Sequence, residues 1–413
     1  MVLHDAEGVD PNMNSTQQET KAPFIPSAAE TYPYFQPIVS LQTRTIIGYE
    51  ALGRRVQEGK VSSLGSFFQI KTIPAKQHLA VDRVIRERAI AQMASIDSDA
   101  KLFINIKPSW IYRMYKDSGA LPSLQMIERH GLDPSRVVIE ITEEDFSGRL
   151  EELSEMVEPY RQAGCMLAID DIGSGFSNYD RIACIKPHIL KIDIRLLKNG
   201  FVHSGYHAVL NSFSILASQM GASLLVEGVE TMEDLAYTLK VGARYAQGFL
   251  FSPAQAEFQP ARAYEPLLQE GIDRYTRSEL QKYRGVYAVM DQFSGLIPVD
   301  AEIANAIEAD TFIRGLLDDV PESVVRIYIC REEGFQVSSN YNREEDGTWR
   351  RDASFQGANW IWRPYFITTV LQMKHGRQGF LSQEYTDLES SSAMQTYSSP
   401  IGGSHYLFLD LRT

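Results

Sequence analysis

Glu50, Asn105, Glu140, Asp170, Asp171, Glu227 and Glu230 stand at or beside the polar ends of short apolar runs. Leu102-Phe103-Ile104-Asn105, Val137-Val138-Ile139-Glu140, Met166-Leu167-Ala168-Ile169-Asp170 and Leu224-Leu225-Val226-Glu227 each stop on an oxygen donor. A fold that collects strand ends on one face would collect these groups. Any one of them reads as a solvated strand end, but carboxylates brought together repel one another unless cations neutralise them. Hard divalent ions suit an all-oxygen set, so the chemistry to expect is metal-assisted.

The elements that must position these groups follow from hydrophobic spacing. Strand-like runs at 34–40, 45–50, 102–106, 137–141, 166–170, 188–192, 222–227 and 244–247 alternate with helical stretches near 80–96, 109–130, 150–163, 206–220 and 232–241. Eight strands separated mostly by helices predict an α/β fold, a closed (β/α)8 barrel of the TIM type. The first two runs are joined by too few residues for a parallel crossover, so that pair is expected to be antiparallel. Sites of such barrels lie at the C-terminal strand ends, where this chain puts its acids.

Seven segments in this order carry a family resemblance: Phe35-Gln36-Pro37-Ile38-Val39 with Gly48-Tyr49-Glu50-Ala51-Leu52-Gly53-Arg54, then Asn105-Ile106-Lys107-Pro108, Glu140-Ile141-Thr142-Glu143, Asp170-Asp171-Ile172-Gly173-Ser174-Gly175-Phe176-Ser177, Leu190-Lys191-Ile192-Asp193, Val226-Glu227-Gly228-Val229-Glu230 and Gln247-Gly248-Phe249-Leu250-Phe251. The stretch from about Tyr34 to Pro253 resembles an EAL domain, the family of cyclic di-GMP-specific phosphodiesterases, which is named for the triplet Glu50-Ala51-Leu52.

The resemblance implies two divalent cations, Mg²⁺ or Mn²⁺, with Glu50, Asn105, Glu140 and Asp170 matching one site and Asp170 and Asp171 turned toward the second. It implies hydrolysis of cyclic di-GMP to linear pGpG. Glu227 matches the position of a general base or second-metal ligand, Glu230 that of a supporting acid, and Lys191 that of the lysine contacting the attacking water. Gln36, Arg54, Asp193 and Gln247 match substrate-side positions, and the Arg54 fork suits a phosphate. Glu143 with Gly173, Ser174 and Gly175 matches a regulatory loop that couples dimerisation to metal and substrate. Ca²⁺ is expected to bind but to support little turnover, because its coordination shell is larger and looser. Gly53 and Arg55, and Ile172, Ser174 and Phe176, depart from the usual residues without removing a ligand.

After Pro253 the pattern changes to a helical stretch near 257–293, then to aromatic-rich strand candidates at 324–330, 334–338, 360–366, 379–382 and 405–411. The expected division is a disordered tail over 1–30, an EAL barrel over 31–256, a connecting helix over 257–293 and a C-terminal α+β domain over 294–413. That last domain resembles a PAS-like or Cache-like sensor, and the whole resembles the YkuI-type architecture. Trp362, Arg363 and Tyr365 with Asp387 could hold a small ligand, or Trp360 and Trp362 could fill a core. No GGDEF-like segment is visible.

The 413 residues carry a net charge of −13, which excludes a nonspecific nucleic-acid binder living on phosphate contacts. Three cysteines without CxxC spacing exclude a thiolate zinc site and a disulfide framework. The histidines show no HExxH spacing; His203 and His207 are spaced as one helix face with no acidic partner spaced to complete a site, and a solvated or capping position is expected. No apolar stretch is long enough for a bilayer and no signal-like leader is apparent, so a cytoplasmic protein without membrane insertion is expected. Its partners would be cyclic di-GMP and a second copy in a homodimer. Three function classes stand: an active phosphodiesterase, a noncatalytic cyclic di-GMP receptor, and another metal-dependent barrel hydrolase or lyase.

Overall fold

A computed structural model describes residues 24–412, apart from 120, 143–147, 173–178, 197, 199–203, 299, 364–365, 377 and 388–389. The chain divides into two compact units, Met1–Ile272 and Asp273–Thr413.

In the first unit the strands are β1 (Thr31–Ser40), β2 (Ile46–Gln57), β3 (Lys60–Ser63), β4 (Lys101–Ile106), β5 (Val137–Thr142), β6 (Met166–Ile172), β7 (Ile189–Asp193), β8 (Ser223–Glu227) and β9 (Tyr245–Gln247). Their order β1-β9-β8-β7-β6-β5-β4-β2, together with the β1–β2 pairing, closes an eight-stranded barrel, and β3 extends β2 on the outside. β1 runs antiparallel to both neighbours, and the pairs from β2–β4 round to β8–β9 are parallel. The expected TIM-type barrel with an antiparallel first pair is therefore present.

Strand side chains alternate between the barrel lumen and the helical layer. Facing out, Ile104, Val137, Ile139, Ile141, Ile169, Leu190 and Val226 join the main core with Leu153, Val157, Phe213 and Leu235 from the helices. Facing in, Ile38, Phe103, Val138, Ala168, Ile189 and Leu225 form a separate apolar plug. Gly48 is where β2 meets β4 closely: a Cβ there would lie 2.6 Å from the Lys101 carbonyl oxygen and 2.8 Å from the Phe103 ring.

The expected helical stretch 109–130 is two helices, Pro108–Ser118 and Pro122–Arg129, parted where Gly119 takes φ 65°. A short helix, Tyr179–Ile185, and strand β3 were not foreseen. The long helix spans Glu265–Leu296; it begins later than periodicity suggests because Pro260 cannot donate within a helix, whereas Pro266 fits a first turn.

The second unit is α+β, as expected. Its strands are β10 (Val324–Arg331), β11 (Asn340–Arg343), β12 (Trp349–Asp352), β13 (Phe380–Leu381), β14 (Tyr385–Thr386), β15 (Ala393–Gly402) and β16 (His405–Arg412). They form an antiparallel sheet in the order β12-β11-β10-β16-β15-β13, with β14 pairing to β15. One face packs on Phe293, Ile297, Ala309 and Ile313; the other, with Tyr328 and Phe408, packs on Phe366, Val370 and Met373 of the helix Phe366–Gly376. The expected strand 334–338 is not a strand, nor are the described residues of 360–366. Trp360 instead anchors a turn, its backbone N–H donating to the Gly334 carbonyl and its indole Nε1 to Gln336 Oε1 at 3.0 Å. Among the described residues no helix is long and apolar enough to cross a membrane.

Candidate active site

Two residues beyond the plug on each strand, the inward direction turns polar. Phe103 gives way to Asn105, Val138 to Glu140, Ala168 to Asp170, Ile189 to Lys191, Leu225 to Glu227 and Tyr245 to Gln247. On the antiparallel β1 the corresponding step runs backwards, from Ile38 to Gln36. The pairings Asn105 with Glu140 and Gln36 with Glu50 set these side chains at one level.

Lys191 is the focus of this layer. Its Nζ lies 2.6 Å from Glu140 Oε1, 2.6 Å from Glu227 Oε1, 3.3 Å from Asp170 Oδ1 and 3.7 Å from Glu50 Oε2. Lys191 is 1% exposed and Glu140 0% exposed, so this pair is out of reach of bulk water, whereas the Glu227 side chain keeps 22% of its surface exposed. The two Glu140 oxygens have no hydrogen-bond partner, so charge holds Glu140 to Lys191. Amides complete the layer: Asn105 Nδ2 donates to Glu50 Oε1 at 2.8 Å, and Gln247 Nε2 donates to Glu50 Oε2 at 2.8 Å and to Gln36 Oε1 at 3.2 Å.

Burial and mutual repulsion govern the protons. Burial lifts the Glu140 carboxyl well above the usual range, opposed by Lys191 and reinforced by Glu50, Asp170 and Glu227. Glu227 is pushed up to about 8, again by burial first, against the pull of Lys191. Burial alone would lower the Lys191 ammonium, but Asp170, Glu140, Glu227 and Glu50 together hold it well above its ordinary value.

Glu50, Asn105, Glu140, Asp170, Lys191, Glu227, Gln36 and Gln247 thus meet in one layer, from eight strands. Arg54, on the same strand as Glu50, is half-buried, and its Nη1 donates to the Gly53 carbonyl at 3.0 Å. Asp193 is paired with Glu227 in register but is held by Arg195, whose Nε and Nη2 lie 2.9 Å and 2.7 Å from its oxygens. Glu230 is exposed on the loop after β8 and is not brought into the layer. The Asp171 side chain, Glu143, Gly173, Ser174 and Gly175 lie outside the described residues, as does Tyr365.

Two expectations need correction. His78 is not solvated: it is buried, with Nε2 3.1 Å from the Phe67 carbonyl and its ring edge-on to that of Phe67. Asp387 does not join the Arg363 cluster; it binds Arg326 through two contacts of 3.2 Å, while Arg363 stacks on Trp360 at 4.6 Å and Trp362 at 5.8 Å. Asp234 was missed altogether. Its buried carboxylate accepts from the backbone N–H groups of Glu230 and Thr231 at 3.0 Å and 3.1 Å and pairs with Lys198 Nζ at 3.0 Å, fixing the loop that follows Glu227. The capping-box spacing Thr231-x-x-Asp234 was the available signal.

Could these residues hold divalent ions? The donor set is all oxygen, and both oxygens of the fully buried Glu140 lack a hydrogen-bond donor, which fits a cation. Among the described residues, however, no group of His, Cys, Asp or Glu is already arranged to hold a metal ion, and the Lys191 ammonium sits among the acids.

The EAL domain family matches residues 19–254, and the EAL-domain associated signalling protein domain matches residues 260–413. The EAL-domain containing protein YkuI of Bacillus subtilis is 35% identical over 386 residues, 92% of this chain and 94% of YkuI. The crystal structure of YkuI in complex with substrate c-di-GMP and calcium matches with a TM-score of 0.85 at 34% identity, covering 94% of this chain and 97% of that one. The cyclic di-GMP phosphodiesterase RocR of Pseudomonas aeruginosa is 30% identical over 230 residues, 54% of this chain and 57% of RocR. A barrel closed in this way, and matches of this extent, establish that the chain belongs to the EAL-domain family, with the EAL-domain associated signalling domain following the barrel.

Proposed function

We propose that the barrel hydrolyses one phosphodiester bond of cyclic di-GMP, giving linear pGpG. The observation that carries this reading is the buried layer in which four carboxylates from four strands surround Lys191 at the C-terminal mouth of the barrel. Glu50, Asn105, Glu140 and Asp170, with Asp171, would hold two divalent ions of the Mg²⁺ or Mn²⁺ class, which neutralise the acids and acidify the attacking water. Glu227 Oε1 takes the proton of that water, and the Lys191 ammonium orients it and compensates the remaining charge. Arg54 receives a phosphate, while Gln36, Gln247 and Asp193 position the nucleotide. Glu230 acts through its loop as a supporting acid. Asp234 keeps that loop in place. The C-terminal unit, which carries Arg326 paired with Asp387 and the Arg363 stack on Trp360, is proposed to sense a small molecule and regulate the barrel.

Cations held by Glu140 and its neighbours favour loss of the protons that burial makes Glu140 and Glu227 keep, Glu140 as a ligand and Glu227 as the adjacent base. The sign is explicit: the folded, cation-free protein holds the Glu227 proton up to about pH 8, whereas an unfolded glutamate releases it near its model value of 4.5. Stability without cations is therefore lost as pH rises through this window, and cation affinity rises over the same window. The melting-temperature gap between Mn²⁺-loaded and chelated protein is expected to widen from about pH 6 to pH 8. Differential scanning fluorimetry checks this; a gap independent of pH contradicts the placing of cations against this group of carboxylates.

The function itself is tested by incubating purified protein with cyclic di-GMP and separating the products by chromatography. pGpG is expected with Mg²⁺ or Mn²⁺, little with Ca²⁺ and none with a chelator. Tight nucleotide binding with no product under any cation would instead support the receptor reading.

A further inference from the structure

The turn that follows β9 carries an aromatic ring on the rim of the acid layer. Gln247, in that layer, is followed by Gly248, where a Cβ would lie 2.1 Å from the Val229 carbonyl oxygen and 2.3 Å from the Val229 nitrogen. The turn therefore crosses the loop after β8 backbone against backbone. Hydrogen bonds hold the crossing: Val229 N–H donates to the Gln247 carbonyl at 3.0 Å, and Leu250 N–H donates to the Val229 carbonyl at 2.9 Å. Within the turn, the N–H groups of Phe251 and Ser252 both donate to the Gly248 carbonyl. From the layer itself, Gln36 Nε2 donates to the Ser252 carbonyl at 3.2 Å. Residues 248–252 are thus tied both to the loop that follows Glu227 and to the polar layer.

Leu250 and Phe251 pack into the main core, whereas Phe249, just before them, is 65% exposed. A lone exposed apolar side chain is ordinary on a protein surface. This one stands on a backbone fixed from two sides, so a ligand meeting its ring does not have to order a mobile loop first. The place also matters, since the mouth is where the substrate enters and cyclic di-GMP brings two guanine bases. A flat apolar ring stacks on a base through its π face, an interaction that needs no hydrogen-bond partner. We propose that Phe249 is the platform on which one guanine of cyclic di-GMP stacks. The inference rests on the reading of cyclic di-GMP as substrate and adds a binding residue separate from the acids and Lys191. Phe249 touches no reacting atom. Its stack is kept from ground state to transition state, so its loss raises KM and leaves kcat in place.

Calorimetric titration with cyclic di-GMP in Ca²⁺ and steady-state hydrolysis in Mn²⁺ test it on the full chain, with F249A, F249L and F249W. F249A is expected to raise both the dissociation constant and KM by at least about 10-fold, with kcat within about 3-fold of the wild type. F249W, which keeps a stacking face, should bind within about 3-fold of the wild type, whereas F249L, apolar but without a π face, should stay close to F249A. Rescue by Trp and not by Leu is a result that damage to the turn would not produce. F249A binding as tightly as the wild type, F249W as weak as F249A, or a fall in kcat with KM unchanged overturns the proposal and leaves the substrate reading standing. A wild-type chain that neither binds nor hydrolyses cyclic di-GMP overturns the substrate reading, and this proposal with it.

Discussion

Glu227→Gln is expected to lower turnover by at least about 100-fold while nucleotide binding stays measurable, the loss typical of removing a general base. The substitution keeps the size of the side chain and its position at the end of β8, but an amide cannot take the proton of the attacking water. The same change removes one of the four acids around Lys191, 2.6 Å from its Nζ, so the neighbouring carboxylates also shift. Steady-state hydrolysis combined with calorimetric binding separates the two effects. A fall in kcat with an unchanged nucleotide dissociation constant supports proton transfer; near-normal kcat removes Glu227 from the mechanism. Asp234→Asn offers a contrast, because it weakens the hold on the same loop without touching the acid layer.

Lys191→Met is expected to act on stability as well as on rate. With the ammonium gone, Glu140, wholly buried and without a hydrogen-bond donor, faces Asp170, Glu227 and Glu50 with nothing to compensate them. Removing one partner of a buried ionic cluster costs about 3–5 kcal/mol. For a unit of this size each kcal/mol shifts the melting temperature by roughly 2–4 °C, so a fall on the order of 10 °C is expected for chelated protein at pH 8. Lowering the pH protonates the acids and should return part of the loss, and Mn²⁺ should return part of it by substituting for the missing positive charge. A variant as stable as the wild type in chelator at pH 8 would show that Lys191 is not the counter-ion of this layer. Turnover should be depressed even in Mn²⁺, because the attacking water loses its orienting group.

The parts of the fold legible in the sequence were those with a strong period. β5, β6, β7 and β8 read as apolar runs ending on polar residues because both faces are buried until the barrel mouth. Alternation then places Glu140, Asp170, Lys191 and Glu227 inside. The antiparallel start was legible from the short connection between β1 and β2. Elements with little burial were not legible: β3 is exposed along its length, and its hairpin turn rests on Glu58 and Gly59 at φ 49° and 78°. β12, Trp-Arg-Arg-Asp, is the exposed edge strand of the second sheet, and β11, Asn-Tyr-Asn-Arg, beside it is polar apart from Tyr341, so neither shows an apolar alternation to find. The run Trp360–Phe366 misled because aromatic density resembles a strand, whereas Trp360 and Trp362 lie against each other, Phe366 opens a helix and stacks on Phe408, and proline lacks a ladder donor. In the site, the residue types were visible but the charge balance was not. That four acids share one ammonium depends on the closure of the barrel, which brings β2 and β8 within reach of the same side chain, and no spacing along the chain encodes that distance.

Hydrolysis in ¹⁸O-labelled water tests the central claim most directly. Purified protein, first stripped with a chelator and then supplied with Mn²⁺, is given cyclic di-GMP, and the nucleotides are resolved by chromatography and mass spectrometry. The expected product is pGpG carrying one ¹⁸O on its terminal phosphate, formed with Mn²⁺, absent in chelator and reduced at least about 100-fold in Glu227→Gln. Intact cyclic di-GMP after prolonged incubation with Mn²⁺ or Mg²⁺, or unlabelled product formed equally in chelator, would contradict the account.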